Sequence, residues 1–229
     1  LSSLSEEMGR VGTSISYESA SPHNAESSTF VVHAHNFIVF GLSFRVNFFV
    51  SLATFPNTNN PEIRTVAAMV GGDKVAFYHC AFYSPHHTLF DQAGRHYYPS
   101  FYIQGNIDFI FGGDRSIFQA STLPRSNDHK EESNNNDFVF LKGKVYGDYS
   151  RVLFAETYLS KTVNPARWTD YGYSGSTEHL MLRDFNCTGP GAEASQRVPW
   201  SRRLDKTEAE KFITIDFING KEWLPTFYY

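Results

Sequence analysis

Short runs of aromatic and β-branched residues recur along this chain at nearly constant spacing, and this recurrence limits the folds open to it. Each run is bounded by Gly, Asn, Asp or Pro, which is the pattern of β-strands separated by turns. No long apolar stripe with a 3.6-residue period separates the runs, so alternating strand–helix units are not expected. The predicted strands cover residues 29–32, 37–44, 75–82, 96–103, 116–123, 138–145 and 152–159.

The spacing predicts how these strands stack. Residues 77–82 align with 97–102 and again with 117–122, at steps of 20, which places aromatic or aliphatic residues on the columns 77/97/117 and 78/98/118. A further step of 22 leads from Phe118 to Phe140. A repeat of this length with several short strands is typical of a β-solenoid, in which each coil packs its core residues on the coil before it. A β-sandwich with evenly spaced hairpins would give a similar spacing, and the spacing alone leaves that alternative open.

Two segments interrupt the repeat. Phe140 and Phe154 lie too close together in sequence for a full coil, so part of a coil is predicted to be missing between Lys144 and Tyr149. Residues 124–137 are polar and contain no core residues, which predicts a surface loop or a disordered excursion.

The two ends of the chain differ from its middle. Residues 1–28 are polar and Ser-rich and are predicted to be an irregular N-terminal segment, whereas residues 29–229 are predicted to form one domain. Near the C-terminus, Thr207–Glu210 has the form of a capping box, which predicts a short helix that covers the open end of the solenoid. Residues 212–218 are then predicted to be extended.

Composition and charge argue against several classes of protein. Aromatic residues make up 16% of the chain and charged residues only 19%, a balance that favours strands over helical bundles. The net charge of -4 argues against a nucleic-acid partner, because phosphate binding needs a basic face. No apolar run is long enough to span a membrane, and no signal peptide is visible. Cys80 and Cys187 are too few for a disulfide scaffold, and the sequence leaves open whether they pair.

A set of short motifs provides a second, more specific pattern. They occupy Gly71–Phe82, His87–Asp91, Gly94–Tyr98, Tyr102–Gly112, Tyr149–Glu156, Gly189–Ala192, Arg197–Trp200 and Phe217–Pro225. Together they resemble the plant pectin methylesterases (pectinesterases), and the most specific of them reads Gly-Asn-Ile-Asp-Phe-Ile-Phe-Gly. The resemblance covers most of the chain from residue 29. It implies an all-β, single-stranded right-handed parallel β-helix with a short C-terminal helical cap, in agreement with the repeat.

The resemblance also implies an activity. Members of this family are carboxylic ester hydrolases that remove methyl groups from homogalacturonan in the plant cell wall. One Asp attacks the ester carbonyl, a second Asp serves as acid and base, two Gln side chains stabilise the oxyanion, and an Arg orients the nucleophile. The expected partner is therefore the pectin polysaccharide, and the expected protein is a secreted monomer. No cofactor, metal, nucleic acid or membrane partner is expected.

Residue by residue, the resemblance assigns the nucleophile to Asp108. The family's Gln-Asp-Thr-Leu motif appears here with histidine at both of its first two positions, His86 and His87. Because histidine exchanges protons near neutral pH, His87 is predicted to replace the acid/base Asp and His86 to donate to the oxyanion. Adjacent histidines on a solenoid turn could instead be surface residues, since neighbours in a strand point to opposite faces.

Two further residues are candidates for substrate binding. Arg64 aligns with the other oxyanion Gln and could supply positive charge for pectate carboxylates or keep Asp108 ionised; the alternative is a solvated surface Arg. Trp168 resembles an aromatic wall for sugar stacking, against which stands ordinary core or edge packing. Asn186, in Asn-Cys-Thr, is a glycosylation sequon if the chain is secreted.

Two hypotheses of different class follow. The family's Leu-Gly-Arg-Pro-Trp motif, which supplies the orienting Arg and a stacking Trp, is absent, and residues 145–151 occupy its place. The chain is predicted to be either an active pectinesterase, or a catalytically inactive β-helix that binds pectin or is a truncated product.

Overall fold

The structure is a computed structural model that describes a defined part of the chain. The described residues are 13–17, 23–46, 65–84, 87–105, 110–113, 115–119, 136–137, 143–144, 151–159, 161, 163, 166, 168–169, 178, 180–193 and 195–226. They fall into two compact units, one within residues 1–119 and 218–229 and the other within residues 120–217. Among the described residues, no helix is long and apolar enough to cross a membrane. The single domain over residues 29–229 stays a prediction.

The first unit contains twelve described strands and one short helix. The strands are β1 (Ser14–Tyr17), β2 (Phe30–Val32), β3 (Phe37–Phe40), β4 (Ser43–Val46), β5 (Ala68–Val70), β6 (Val75–Tyr78), β7 (Ala81–Tyr83), β8 (Leu89–Asp91), β9 (Arg95–Pro99), β10 (Tyr102–Gln104), β11 (Ile110–Gly112) and β12 (Arg115–Gln119), with helix α1 at Asn24–Ser27. They form three sheets, ordered β1-β4-β7-β10, β2-β5-β8-β11 and β3-β6-β9-β12.

Every pairing in these sheets is parallel, and each strand pairs with the strand that comes three strands later in the chain, as β1 does with β4. Three strands therefore make one coil, and successive coils stack on one another. The predicted parallel β-helix is confirmed, and the β-sandwich alternative is wrong.

The register defines the length of each coil. The step from Ala81 to its partner Tyr102 is one residue longer than the step from Tyr98 to its partner Phe118. The difference arises because the turn between β8 and β9 has one residue more than the turn between β11 and β12. The predicted column 77/97/117 is therefore off by one at its first step, because Ala76 rather than Phe77 pairs with Tyr97.

Aromatic columns fill the interior of the first unit. The rings of Phe77 and Tyr98 are stacked with centroids 5.4 Å apart, and Tyr98 and Phe118 continue the column at 4.6 Å. A second column joins Phe44 to Phe82 at 5.5 Å, and both side chains are fully buried. Each fully buried aromatic ring contributes about 1.5–3 kcal/mol, so the columns are a main source of the unit's stability.

The turns from β3 to β4, from β6 to β7 and from β9 to β10 are corners of the solenoid, and each begins with one residue in the left-handed conformation. Gly41, His79 and Ser100 occupy this corner in three successive coils, with φ of 65°, 53° and 53°. Their backbone amides bond to the coil that follows; that of His79, for example, donates to the Pro99 carbonyl at 3.2 Å. The corner therefore repeats with the coil, whatever side chain it carries.

The N-terminal segment contains regular structure, contrary to the sequence-based prediction. Strand β1 lies within residues 1–28 and pairs with β4, Ser14 with Ser43 through Tyr17 with Val46. Ser-rich sequences have weak strand propensity, but an added strand is stabilised by the ladder of hydrogen bonds to its neighbour. The prediction that residues 1–28 are irregular is therefore wrong for Ser14–Tyr17.

The second unit contains seven described strands, five of two residues and two of five residues. They are β13 (Asn136–Asp137), β14 (Gly143–Lys144), β15 (Arg151–Ala155), β16 (Thr157–Tyr158), β17 (Trp168–Thr169), β18 (Met181–Phe185) and β19 (Arg202–Arg203). All the described pairings are parallel: β13 pairs with β16, β14 with β17, β15 with β18, and β18 with β19. Of the polar stretch 124–137, the structure describes only the two residues of β13, so the remainder of that prediction lies outside the described residues.

The C-terminal helix is present but begins earlier than predicted. Helix α2 spans Lys206–Ile213, and its N-cap is Asp205, whose carboxylate accepts the Glu208 N–H at 2.8 Å. Thr207 thus lies inside the first turn rather than at the cap. The prediction of extended structure over 212–218 is wrong, because α2 continues to Ile213 and a 3-10 turn covers Ile215–Ile218. A second 3-10 turn follows at Gly220–Glu222.

Candidate active site

The predicted site residues divide into those that the structure describes and those that it does not. Asp108, His86 and Arg64 lie outside the described residues, so their roles stay predictions. His87 belongs to the first unit and Trp168 to the second.

His87 lies between β7 and β8 in a constrained conformation. Its φ of 54° falls in the left-handed region, which non-glycine residues seldom adopt outside functional or tightly held turns. The half-buried imidazole contacts the ring of Phe111 edge-on, with centroids 5.4 Å apart and an interplanar angle of 83°. Phe111 belongs to the same Gly-x-x-Asp-Phe-Ile-Phe-Gly motif as Asp108. The structure therefore brings the predicted acid/base next to the motif of the predicted nucleophile.

Hydrogen bonds on both sides of His87 hold its turn in place. Buried Thr88 donates from Oγ1 to the Gln104 carbonyl at 3.0 Å, and the Ser84 amide donates to the same carbonyl at 3.1 Å. Ser84 Oγ also donates to Thr65 Oγ1 at 2.8 Å. The chain before and after His87 is thus tied to the end of β10, after which the sequence continues to Asp108.

An aromatic pair forms the outer face of the neighbouring sheet. Leu89 and Asp91 of β8 are buried, whereas Phe90 between them is half-buried and points outward. Its ring stacks on Phe111 of β11 at 4.6 Å with an interplanar angle of 2°. Phe111 therefore lies on the same outer face as Phe90. The sequence signal for this pair is the spacing of Phe90 and Phe111, which is one residue longer than the step used in the sequence to align the coils.

Gly112 explains why this motif ends in glycine. Its φ is 146°, and a Cβ at this position would lie 1.6 Å from the carbonyl oxygen of Asp91 in the adjacent coil. Any side chain would force the two coils apart. The close approach keeps β11 on β8 and so keeps Phe111 beside His87.

A polar network lies inside the solenoid behind the same sheet. His96 is fully buried, and its Nε2 lies 2.7 Å from the Gly72 carbonyl, which can only accept, so Nε2 carries a hydrogen. Its Nδ1 lies within hydrogen-bond distance of Asp91 Oδ1, at 2.6 Å. Tyr98 donates its hydroxyl to the same Asp91 oxygen at 2.5 Å. Sequence reasoning missed this network, because buried polar residues in a strand resemble exposed ones.

Trp168 is part of a hydrophobic cluster of the second unit. Its side chain is 6% exposed and packs with Leu180 and Leu182, and its ring centroid lies 5.5 Å from that of Phe154. In this arrangement the indole faces are covered. Sugar stacking by Trp168 therefore stays a prediction, and it would need the indole to leave the cluster.

The sequence of the chain matches a known protein family. The sequence model of the family described as Pectinesterase matches residues 9–136 and 126–221 of this chain. The chain belongs to the pectinesterase family. It is 46% identical over 241 residues to probable pectinesterase 67 of Arabidopsis thaliana, covering 95% of this chain and 69% of that protein. It is 35% identical over 242 residues to putative pectinesterase 14 of the same plant, covering 95% and 71%.

Solved structures agree on the fold of this pectinesterase. The pectin methylesterase from carrot superposes with a TM-score of 0.75 at 23% identity, covering 96% of this chain and 78% of that one. The pectin methylesterase from Aspergillus niger gives a TM-score of 0.71 at 20% identity, covering 94% and 76%. A further similar structure is a pectin methylesterase mutant in complex with a hexasaccharide, with a TM-score of 0.65 at 16% identity over 91% of this chain and 80% of that one.

The cysteines of this pectinesterase do not form a disulfide bond with each other. Cys80 is buried in the first unit, and Cys187 is half-buried in the second. Their thiols donate to backbone carbonyls, Cys80 to Tyr78 at 3.3 Å and Cys187 to Phe154 at 3.4 Å.

Proposed function

We propose that this pectinesterase hydrolyses the methyl esters of galacturonate units in pectin, in the plant cell wall and as a monomer, with Asp108 as nucleophile and His87 as acid and base. One observation supports the assignment of His87 above the others. Its imidazole is held in a left-handed turn against Phe111, which follows Asp108 closely in the same motif. A histidine on a loose surface turn would lack this contact and the hydrogen bonds on both sides.

The reaction proceeds in two steps. The Asp108 carboxylate attacks the ester carbonyl carbon, and the C–O bond to the methoxy group breaks as the His87 imidazolium gives its proton to the departing methanol. Neutral His87 then takes a proton from water, whose oxygen attacks the acyl carbon and releases the galacturonate carboxyl and the free Asp108 carboxylate. His86 donates a hydrogen bond to the oxyanion in both steps.

The outer face beside His87 suits a sugar polymer. Val31, Met69, Phe90 and Phe111 are in register on successive strands of one sheet. Met69 is buried, whereas Val31, Phe90 and Phe111 are at least partly exposed, and apolar side chains of this kind can pack on the C–H face of a sugar ring. Arg64 is proposed to pair with a carboxylate of the polymer. Trp168 is proposed to add a stacking contact only if its indole becomes uncovered.

The second candidate is a pectin-binding protein without esterase activity. It is favoured by one sequence observation, the absence of the Leu-Gly-Arg-Pro-Trp motif that carries the family's orienting Arg. The two candidates predict the same binding and different chemistry.

Methanol release from highly esterified pectin separates them. The wild-type chain should release methanol, Asp108→Asn should release none, and His87→Gln should lose about 10²–10⁴-fold, the usual contribution of general acid–base catalysis. Circular dichroism of each variant checks that it folds. Binding to pectin without methanol release by the wild-type chain would establish the second candidate.

His87→Asp sharpens the assignment, because it restores the residue type of the family. Since the ordinary pKa of Asp lies near ~4 and that of His near ~6.5, activity of this variant should extend to more acidic pH than that of the wild type. An unchanged pH profile, or full activity of His87→Gln, would show that His87 is not the acid and base.

A further inference from the structure

The chain carries a single Asn-x-Ser/Thr triplet in its 229 residues, Asn186-Cys187-Thr188. It follows β18 directly, in the second unit. None of the proposed catalytic steps uses it.

The structure places Asn186 at a solenoid corner. Ala155 of β15 pairs with Phe185 of β18, so the residues that follow them, Glu156 and Asn186, occupy equivalent places in adjacent coils. Both are left-handed, with φ of 50° and 47°, and both side chains are exposed. This is the conformation of the corners at Gly41, His79 and Ser100 in the first unit.

The corner geometry alone does not account for an asparagine. Asparagine tolerates a positive φ better than most residues, so Asn186 could have been selected for the turn. Yet Glu156, His79 and Ser100 occupy such corners with the same sign of φ. The fold therefore accepts several residue types at such corners, and asparagine is not required at position 186.

The three residues of the triplet alternate in direction. The side chains of Asn186 and Thr188 are exposed, whereas Cys187 is half-buried and its thiol approaches the Phe154 carbonyl at 3.4 Å. Backbone bonds hold this arrangement: the Thr188 amide donates to the Thr157 carbonyl at 3.0 Å, and the Leu159 amide donates to the Thr188 carbonyl at 2.8 Å. The side chains of Asn186 and Thr188, the two residues that define the glycosylation sequon, therefore face solvent in the folded chain.

We propose that Asn186 carries an N-linked glycan, an assignment that rests on the cell-wall location in the proposed function but not on the esterase chemistry. The donor is an oligosaccharide linked to a lipid pyrophosphate. The amide nitrogen of Asn186 attacks the anomeric carbon and loses a proton, and the C–O bond to the pyrophosphate breaks with its electron pair leaving on the lipid pyrophosphate. Transfer precedes folding, and the exposed corner then lets the chain fold with the sugar outside the core.

The test expresses the full chain behind a cleavable secretion leader in yeast. The total pool from cells and medium is treated with an endoglycosidase that leaves one N-acetylglucosamine on asparagine, and the tryptic peptides are analysed by mass spectrometry. The peptide with Asn186 should carry the N-acetylglucosamine, and the intact chain should gain mobility on treatment. Because transfer takes place before secretion, the readout does not depend on export.

Matched variants separate a glycan at Asn186 from an effect on folding. Thr188→Ser keeps the sequon and should keep the glycan, whereas Thr188→Val and Asn186→Gly should lose it, the latter at no cost to the left-handed corner. An unmodified Asn186 in the wild-type pool, or a glycan that persists in Thr188→Val, would overturn the proposal. Methanol release is measured separately. The test for the glycan at Asn186 can therefore be interpreted even if the chain has no esterase activity.

Discussion

The two units of the molecule are stabilised in different ways. In the first unit, three parallel sheets run in register through several coils, and identical kinds of residue stack on one another, as in the column Phe77, Tyr98 and Phe118. In the second unit, the longest described ladder joins β15 along its whole length to β18, and a buried acid, Asp184, lies among arginines.

This difference shows what a solenoid gains from regular repetition. Where the strands of successive coils stay in register, aromatic rings stack on one another and much of the interior is apolar. In the second unit a polar centre also fixes the chain: the Asp184 carboxylate of β18 accepts a hydrogen bond from the Arg197 guanidinium, and the Asp184 backbone carbonyl accepts the Leu204 amide at 2.8 Å. The first unit should therefore tolerate the loss of one polar contact better than the second.

The largest effect is expected at the polar centre of the second unit. Arg197→Met should lower the free energy of unfolding by about 3–5 kcal/mol, because it leaves the Asp184 carboxylate buried without its closest cation. The side chains of Asp184 and Arg197 are 1% and 8% exposed. Urea unfolding followed by circular dichroism measures the loss.

Arg203→Met is the matched control for that change. Arg203 also approaches Asp184, at 3.5 Å, but its side chain is 56% exposed. We expect a loss of less than about 1 kcal/mol, as for other solvated pairs. Equal losses for the two variants would contradict a buried polar centre as the stabilising feature.

A smaller effect is expected from the polar contact within the first unit. Tyr98→Phe keeps the stack on Phe77 and Phe118 but removes the hydroxyl that donates to Asp91, and should cost about 2 kcal/mol, typical of a hydrogen bond to a charged group. Tyr98→Leu removes the ring stack as well and should cost more. If Tyr98→Phe were as damaging as Arg197→Met, the contrast between the units would fail.

The smallest effect is expected at the surface of the first unit. The hydrogen bond from Arg95 lowers the pKa of Asp73 to about 2, from 3.8. Because the folded pKa is depressed, this stabilisation is present above about pH 4 and is lost as the pH falls toward about 2. The pair is partly exposed, with side chains 35% and 22% accessible, so screening limits its contribution to about 1 kcal/mol at most.

Asp73→Asn tests this pair. The variant should be slightly less stable than the wild type at neutral pH, and the difference should shrink as the pH falls from about 4 to about 2 and with added salt. A difference that grows on acidification would have the wrong sign for a depressed carboxyl pKa. Parallel urea unfolding curves of both proteins provide the measurement.

The sequence predicted the fold where its signal was repeated and missed what depends on single residues. The nearly constant step between aromatic runs identified the solenoid, since each coil repeats the same column of core residues. The periodicity could not locate one extra residue in the turn after Asp91, so the register of Phe77 was wrong by one. The strands β5, β8 and β11 were not predicted, because three residues are too few to show an alternation of apolar and polar side chains.

The site was predicted through its motifs and not through its contacts. His87 was found because it stands where the family has an acid, and the structure adds its left-handed turn and its contact with Phe111. The buried Asp91–His96 pair could not have been predicted, because its partners are separated by turns whose geometry the sequence does not specify. At the C-terminus, the Thr207–Glu210 pattern predicted the helix but not its first residue, because the capping bonds are made between Asp205 and Glu208.

The register of the early coils bears on how such a chain can change. Phe30 pairs with Ala68, Phe37 with Val75 and Ser43 with Ala81, so all three faces of the solenoid are displaced by the same length of chain. This step is longer than that of the coils that follow, and the additional residues all lie between β4 and β5 in the sequence. None of the three ladders is shifted out of register, and loop closure costs little for added length. Length can therefore be added to the chain between two strands while the stacked framework is inherited unchanged.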